Sequence, residues 1–197
     1  SVIDVYERGE QVIHLCREPL EEGSLVEGAI DWERRFDFMQ QHTGEHIVSG
    51  LIHAAYGYHN VGFHMGRDTV TIDFNCAITP QELREIEAKA NGIIRENRPI
   101  KASWPDAEAL AALPYRSKKA LSGDVRIVEC PGVDICTCCG THVASTGEIG
   151  LIKLFSAVKF RGGTRMEMAC GGRALKLLCD LFDQNRQVSQ AFSVPMT

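Results

Sequence analysis

A chain of 197 residues with an ordinary apolar fraction is long enough to bury a sizeable core, and its formal net charge of −5 argues against general affinity for phosphates, which comes mainly from clustered Lys and Arg. No apolar run is long enough to span a bilayer, and the start, Ser1-Val2-Ile3-Asp4-Val5, lacks the basic and apolar regions of a secretory signal, so a cytoplasmic protein is expected. Eight cysteines are many, yet a chain of this size does not need a disulfide framework; reduced thiols and a metal are expected instead.

In chain order, residues 2–6, 12–16 and 25–30 are short apolar stretches separated by Gly/Glu turn signals, and they predict strands of a small β unit over residues 1–36. Residues 38–55 predict a helix, with Met39, Ile47 and Leu51 among its apolar positions and a stop at Gly57. Val70, Ile72 and Phe74 alternate with Thr69, Thr71 and Asp73, the period of a half-buried strand, and residues 60–65 are its expected hairpin partner. Thr79-Pro80-Gln81-Glu82 is a capping box with proline at the first helical position, followed on one face by Leu83, Ile86, Ala90 and Ile93. Residues 100–104 and 125–128 are candidate strands around a short helix over 106–113. Residues 150–160 and 164–168 form a hairpin about Arg161-Gly162-Gly163, and 174–186 a closing helix. Helices interleaved with hairpins, without a βαβ repeat, predict an α+β two-layer sandwich of antiparallel sheet and helices, with residues 37–197 as the main domain.

Two half-sites stand out. His42 and His46 are four residues apart, so a helix places both imidazoles on one face. They do not form a metalloprotease motif, because the glutamate of His-Thr-Gly-Glu-His adjoins the second histidine instead of the first. Cys138-Cys139-Gly140-Thr141-His142 adds a thiolate and a third imidazole across a glycine turn, and a His3Cys set suits zinc better than magnesium or calcium. Cys136 and Cys139 leave the identity of the thiolate open; in an extended segment Cys136 and Cys138 share a face and Cys139 takes the other. His14, His53 and His59 have no partner at ligand spacing and are read as surface or core-edge residues. Residues 151–176 carry Lys153, Lys159, Arg161, Arg165, Arg173 and Lys176 against only Glu167, and Arg116, Lys118 and Lys119 form a second basic group.

His-Thr-Gly-Glu-His followed by Cys-Cys-Gly-Thr-His-Val, then Thr146-Gly147-Glu148-Ile149-Gly150 and Gly163-Thr164-Arg165-Met166-Glu167, resembles the editing domain of alanyl-tRNA synthetase. It resembles still more the free-standing alanyl-tRNA editing proteins of the AlaX type. The threonyl-tRNA synthetase editing domain has the same two-part layout, and Gly62-Phe63 is similar to its glycine-aromatic strand. The resemblance runs over about residues 26–178. It implies zinc held by His42, His46, Cys138 and His142, and hydrolysis of the ester that joins serine or glycine wrongly to tRNA(Ala). Free-standing members usually begin with a glycine-rich β-barrel segment that helps choose the tRNA, and longer members carry a further C-terminal domain. Neither is found here, so a fragment is expected.

Zinc can polarise an ester carbonyl or lower the pKa of a bound water. Candidates to assist are Thr141, between Gly140 and His142, as a donor to substrate; His64, in a strand between Gly62 and Gly66; and Glu45, the carboxylate nearest the histidine pair. At i−1 from His46, Glu45 is expected to point away as an exposed helix residue. Phosphate contacts are expected from the basic segment around Arg161 and Arg165. The alternatives are a structural-zinc tRNA-binding module, or an editing domain excised from an alanyl- or threonyl-tRNA synthetase.

Overall fold

A computed structural model describes residues 1–117 and 124–195. The chain divides into two compact units, Ser1–Asp31 and Trp32–Thr197.

The first unit is an antiparallel hairpin, β1 (Val2–Arg8) and β2 (Gln11–Cys16), turned by Gly9 in the left-handed region at φ 63°. The strand expected over residues 25–30 is not formed; Leu25, Val26 and Ile30 are exposed. An apolar run becomes a strand only when a neighbour takes up its backbone N–H and C=O groups, and here none of the described strands does.

The second unit is α+β, as expected. A four-stranded antiparallel sheet runs in the order β3 (Asn60–Met65), β4 (Val70–Phe74), β9 (Gly163–Cys170), β8 (Ile152–Phe160). A second sheet joins β5 (Lys101–Ser103), β6 (Ile127–Cys130) and β7 (Asp134–Thr137). The β8–β9 hairpin turns on Arg161 and Gly162, both at positive φ, the backbone that matches the strands' own twist. Among the described residues four α-helices complete the unit: α1 (Trp32–Tyr56), α2 (Pro80–Glu96), α3 (Ala107–Ala112) and α4 (Gly171–Phe192).

Helix α2 forms as its sequence dictates. Thr79 Oγ1 accepts from Glu82 N at 3.2 Å while Thr79 N donates to Glu82 Oε2 at 2.7 Å, and Asn97 in the left-handed region ends the helix. Its Ile86, Ala90, Ile93 and Ile94 are buried. From its flank Asn91 exchanges two hydrogen bonds with Ile152, at 2.8 and 3.0 Å, and Glu87 Oε2 accepts from Leu154 N at 2.7 Å, so α2 covers the edge of β8.

Helix α1 begins at Trp32, six residues before the expected residue 38, with Trp32 and Phe36 stacked one turn apart. It packs on α2, α4, β7 and β9 and is buried without a break from Thr43 to Gly50. Two glycines permit this. A side chain at Gly44 would run into Cys170 Sγ, and one at Gly50 would come within 2.7 Å of the Val133 carbonyl oxygen and the Asp134 Cβ. The second approach sets α1 against the start of β7, where the site is built. No helix among the described residues is long and apolar enough to cross a membrane.

Candidate metal centre and its cleft

His42, His46, Cys138 and His142 meet where α1 faces the segment after β7; one donor atom from each lies within 4.8 Å of the others. Helix α1 supplies the first two from one face. The Cys138–His142 segment is held over them by Arg126, whose Nη1 donates to the carbonyl oxygens of Cys138 at 2.7 Å and Gly140 at 2.9 Å. Gly140 has to be glycine: a Cβ there would reach within 2.7 Å of His42 Nδ1.

Each histidine is orientated by a partner behind it. His42 Nδ1 faces the Thr141 carbonyl oxygen at 3.1 Å, an acceptor only, so Nδ1 carries the proton and Nε2 is free, 3.4 Å from Cys138 Sγ. Thr43 gives its single proton to the Met39 carbonyl at 2.8 Å and accepts from Val143 N at 3.1 Å. Toward His142 Nδ1, at 3.4 Å, it can only accept, which again fixes the proton on Nδ1. His46 Nδ1 lies 3.4 Å from the Asp134 carboxylate, and Arg116 grips that carboxylate through both oxygens at 2.7 and 2.8 Å. The ring nitrogens of His42 and His142 opposite these contacts are therefore lone-pair donors, the support that metal-binding histidines require, and His46 joins them on releasing its Nε2 proton to an incoming metal.

The set fits a metal. His142 Nε2 is buried without a hydrogen-bond partner, a state that is costly unless something else takes its lone pair. Burial and its histidine neighbours bring the His142 pKa down to about 4, so its ring is neutral. Burial by itself would raise the Cys138 thiol, but the imidazoles around it, positively charged His46 among them, outweigh it and bring the pKa down to about 3, a thiolate at neutral pH. His46 is pushed the other way: burial alone disfavours its charge, but Asp134 and the two cysteines carry its pKa well above the usual histidine value. Asp134, which burial would raise, is brought below the carboxylate range by His46 and Arg116.

Cys136 Sγ lies 3.2 Å from His46 Nδ1 but 3.9 Å from Nε2, on the support side of the ring, and burial raises its pKa. Cys136 and Cys138 both reach the histidines, whereas Cys139 is exposed. His46, Asp134 and Cys136 make a second close group, but Arg116 already occupies both Asp134 oxygens.

The cluster opens on a cleft of about 1090 Å³, just above the usual range for small-molecule sites. Glu45 lines it and is buried, 3% exposed, not the exposed helix residue expected from position alone. Its Oε1 accepts from Ser49 Oγ at 2.7 Å and from Asn60 Nδ2, and Asn60 Oδ1 accepts from Gly62 N at 3.1 Å. The expectation failed because α1 is enclosed on nearly all sides. Thr141 is exposed and enters through its backbone carbonyl, not its hydroxyl. His64 is exposed, pairs with Thr71 and does not line the cleft. Its neighbour Phe63 does, with its ring 5.9 Å from that of His42. Neither Asn60 nor the supports Asp134 and Arg126 were foreseen in the sequence; nothing in spacing marks them.

The basic run of residues 151–176 is largely paired within the fold. Arg165 binds Asp73 through two contacts of 2.7 and 2.8 Å, Arg173 binds Asp37, Lys153 binds Glu87 and Lys176 binds Asp180. The Arg165 contact holds the Asp73 carboxyl below its usual range. Lys118 and Lys119 lie outside the described residues.

Residues 125–167 match the family described as threonyl and alanyl tRNA synthetase second additional domain. The chain is 34% identical to alanine–tRNA ligase of Ignicoccus hospitalis over 98% of its own length and 22% of the ligase. It is 33% identical to alanyl-tRNA editing protein Aarsd1 of Danio rerio, over 89% of this chain and 44% of that protein, and 32% identical to the Mus musculus Aarsd1 over the same shares. It thus spans less than half the length of these relatives. Over nearly its whole length the chain is thus homologous to alanyl-tRNA editing proteins and to alanyl-tRNA synthetase, and the segment that contains Cys138 and His142 matches the domain that threonyl- and alanyl-tRNA synthetases share.

Proposed function

We propose that this chain is a zinc-dependent aminoacyl-tRNA deacylase that removes serine or glycine from mischarged tRNA(Ala), a cytoplasmic step of translation quality control. In this reading residues 37–197 form the editing domain and 1–36 a small N-terminal β segment. The observation that carries it is the buried, unpartnered Nε2 of His142 within a donor set whose other members, His42, His46 and Cys138, line an open cleft. A purely structural zinc would sit in a closed shell; here the donors face space sufficient for an aminoacyl ester. The names of the relatives, editing protein and ligase, favour alanyl-tRNA as the substrate class.

His42, His46, Cys138 and His142 would hold the zinc, with Asp134, Thr43 and the Thr141 carbonyl fixing the imidazole tautomers. When bound, zinc supplies Lewis-acid polarisation to an ester carbonyl or an amino group nearby. The chain's own residues do the rest. Glu45 and Asn60 line the cleft beside His46, held by each other and by Ser49 behind them, a polar wall suited to a small hydroxyl-bearing side chain. Phe63 lies against His42 and narrows the space for a larger one. Serine's hydroxyl would find polar partners on that wall where alanine's methyl group finds none, which favours serine over alanine without a large pocket.

Deacylation of Ser-tRNA(Ala), Gly-tRNA(Ala) and Ala-tRNA(Ala) tests this, with zinc and after its removal. Serine or glycine release that exceeds alanine release and disappears with the metal is expected. Equal rates with and without zinc, or no release by folded protein, would contradict it.

A further inference from the structure

The metal centre uses one stretch of α1; the far end of the same helix carries a second pair of histidines. His53 follows His46 by seven residues and His42 by eleven, so at about 3.6 residues per turn it falls on the same face, roughly 10 Å along the axis from His46. Helix α1 ends at Tyr56, and Gly57, in the left-handed region at φ 70°, reverses the chain. His59 thereby returns beside the helix end, its ring 4.9 Å from that of His53. Asn75 pins it there: His59 N donates to Asn75 Oδ1 at 2.8 Å and Asn75 N donates to the His59 carbonyl at 3.2 Å. Both histidines line the cleft that contains the metal donors.

Two imidazoles alone hold a metal poorly, and neither belongs to a group of three metal donors among the described residues. What they offer together is a pair of adjacent imidazoles, which can gather hydrogen bonds onto one oxyanion. His53 Nδ1 faces the Tyr58 carbonyl oxygen at 3.3 Å, which leaves Nε2 as its ring nitrogen for such a ligand. Of the arginines on the same walls, Arg116 is paired with Asp134, and Arg126 gives its Nη1 to two carbonyl oxygens. We propose that His53 and His59 form a phosphate subsite, which receives the 5′-phosphate of the nucleotide whose aminoacyl ester lies at the metal donors. The proposal rests on the deacylase reading for the identity of the nucleotide. The separation along α1 is one that a nucleoside monophosphate, esterified at one end of its ribose and phosphorylated at the other, can bridge.

The test compares adenosine 5′-monophosphate with adenosine on the zinc-loaded full chain, by calorimetry and by the histidine ring signals in NMR. The monophosphate should bind about tenfold more tightly, the scale of one charge-assisted hydrogen bond, and should move the His53 and His59 signals. His53→Gln/His59→Gln should erase the preference while keeping the metal content; the single change at exposed His59 serves if the double variant does not fold. Equal binding of the two ligands by the parent chain, binding of neither, or a preference that survives the substitutions would overturn the proposal. Binding is read without ester cleavage, so a chain that prefers the monophosphate yet releases no serine would sink the deacylase reading alone.

Discussion

Helices α1 and α2 lie against each other and differ in what their sequences say. Helix α2 has a clean apolar face, a reciprocal capping box and a solvated opposite side, and every one of those features serves packing. Helix α1 is buried at Gln41, Thr43, Glu45, His46 and Ser49, positions that a packing helix would fill with apolar residues. Buried polar residues cost free energy unless each finds a partner, and in α1 they find them: Gln41 bonds both the N–H and the carbonyl of Cys170, Thr43 bridges to Val143, and Glu45 collects Ser49 and Asn60. A helix with a blurred apolar pattern that is nonetheless central marks a site; one with a sharp pattern marks a scaffold.

The strongest way to break that contrast is to remove a donor. Cys138→Ala should abolish stoichiometric metal binding, and Cys139→Ala, whose thiol is exposed, should leave it intact. Metal analysis of the two purified variants checks this, and the reverse pattern would reassign the ligand. On the scaffold helix, Ile86→Ala should cost about 2–5 kcal/mol, as for a fully buried large-to-small change, while the folded fraction keeps its metal. An unchanged denaturation midpoint would show that α2 does not carry the core. Subtler is Asp134→Asn, which weakens the acceptor behind His46 and leaves Arg116 without its carboxylate. Zinc affinity should fall roughly 10–100-fold with the ligand set unchanged, as for loss of other supporting carboxylates, and a competition titration with a chelator reads it.

The two half-sites were legible because their geometry is local: four-residue spacing on a helix, and a thiolate and an imidazole across one glycine turn. Their supports were not, because Asp134, Arg126 and Thr43 act through contacts between segments far apart in sequence. His64 lost its place to Phe63 by one position, and along a strand one position changes the face; the irregular register between Asn60 and Gly62 hides the phase from the sequence. The basic run misled for a similar reason, since Asp37, Asp73 and Glu87, which pair Arg173, Arg165 and Lys153, lie 136, 92 and 66 residues away. The nearness of His53 to His59 depends on the chain reversing at Gly57, and spacing alone gave no reason to join them.

The central claim is that α1 and the Cys138–His142 turn form one metal centre with three imidazoles and a single thiolate. Zinc X-ray absorption on the 197-residue chain, together with metal stoichiometry, tests it most directly. One zinc per chain with three nitrogen-type ligands and one sulfur is the predicted result; two sulfurs in the shell, which would bring in Cys136 or Cys139, or no zinc retained by folded protein, would contradict it.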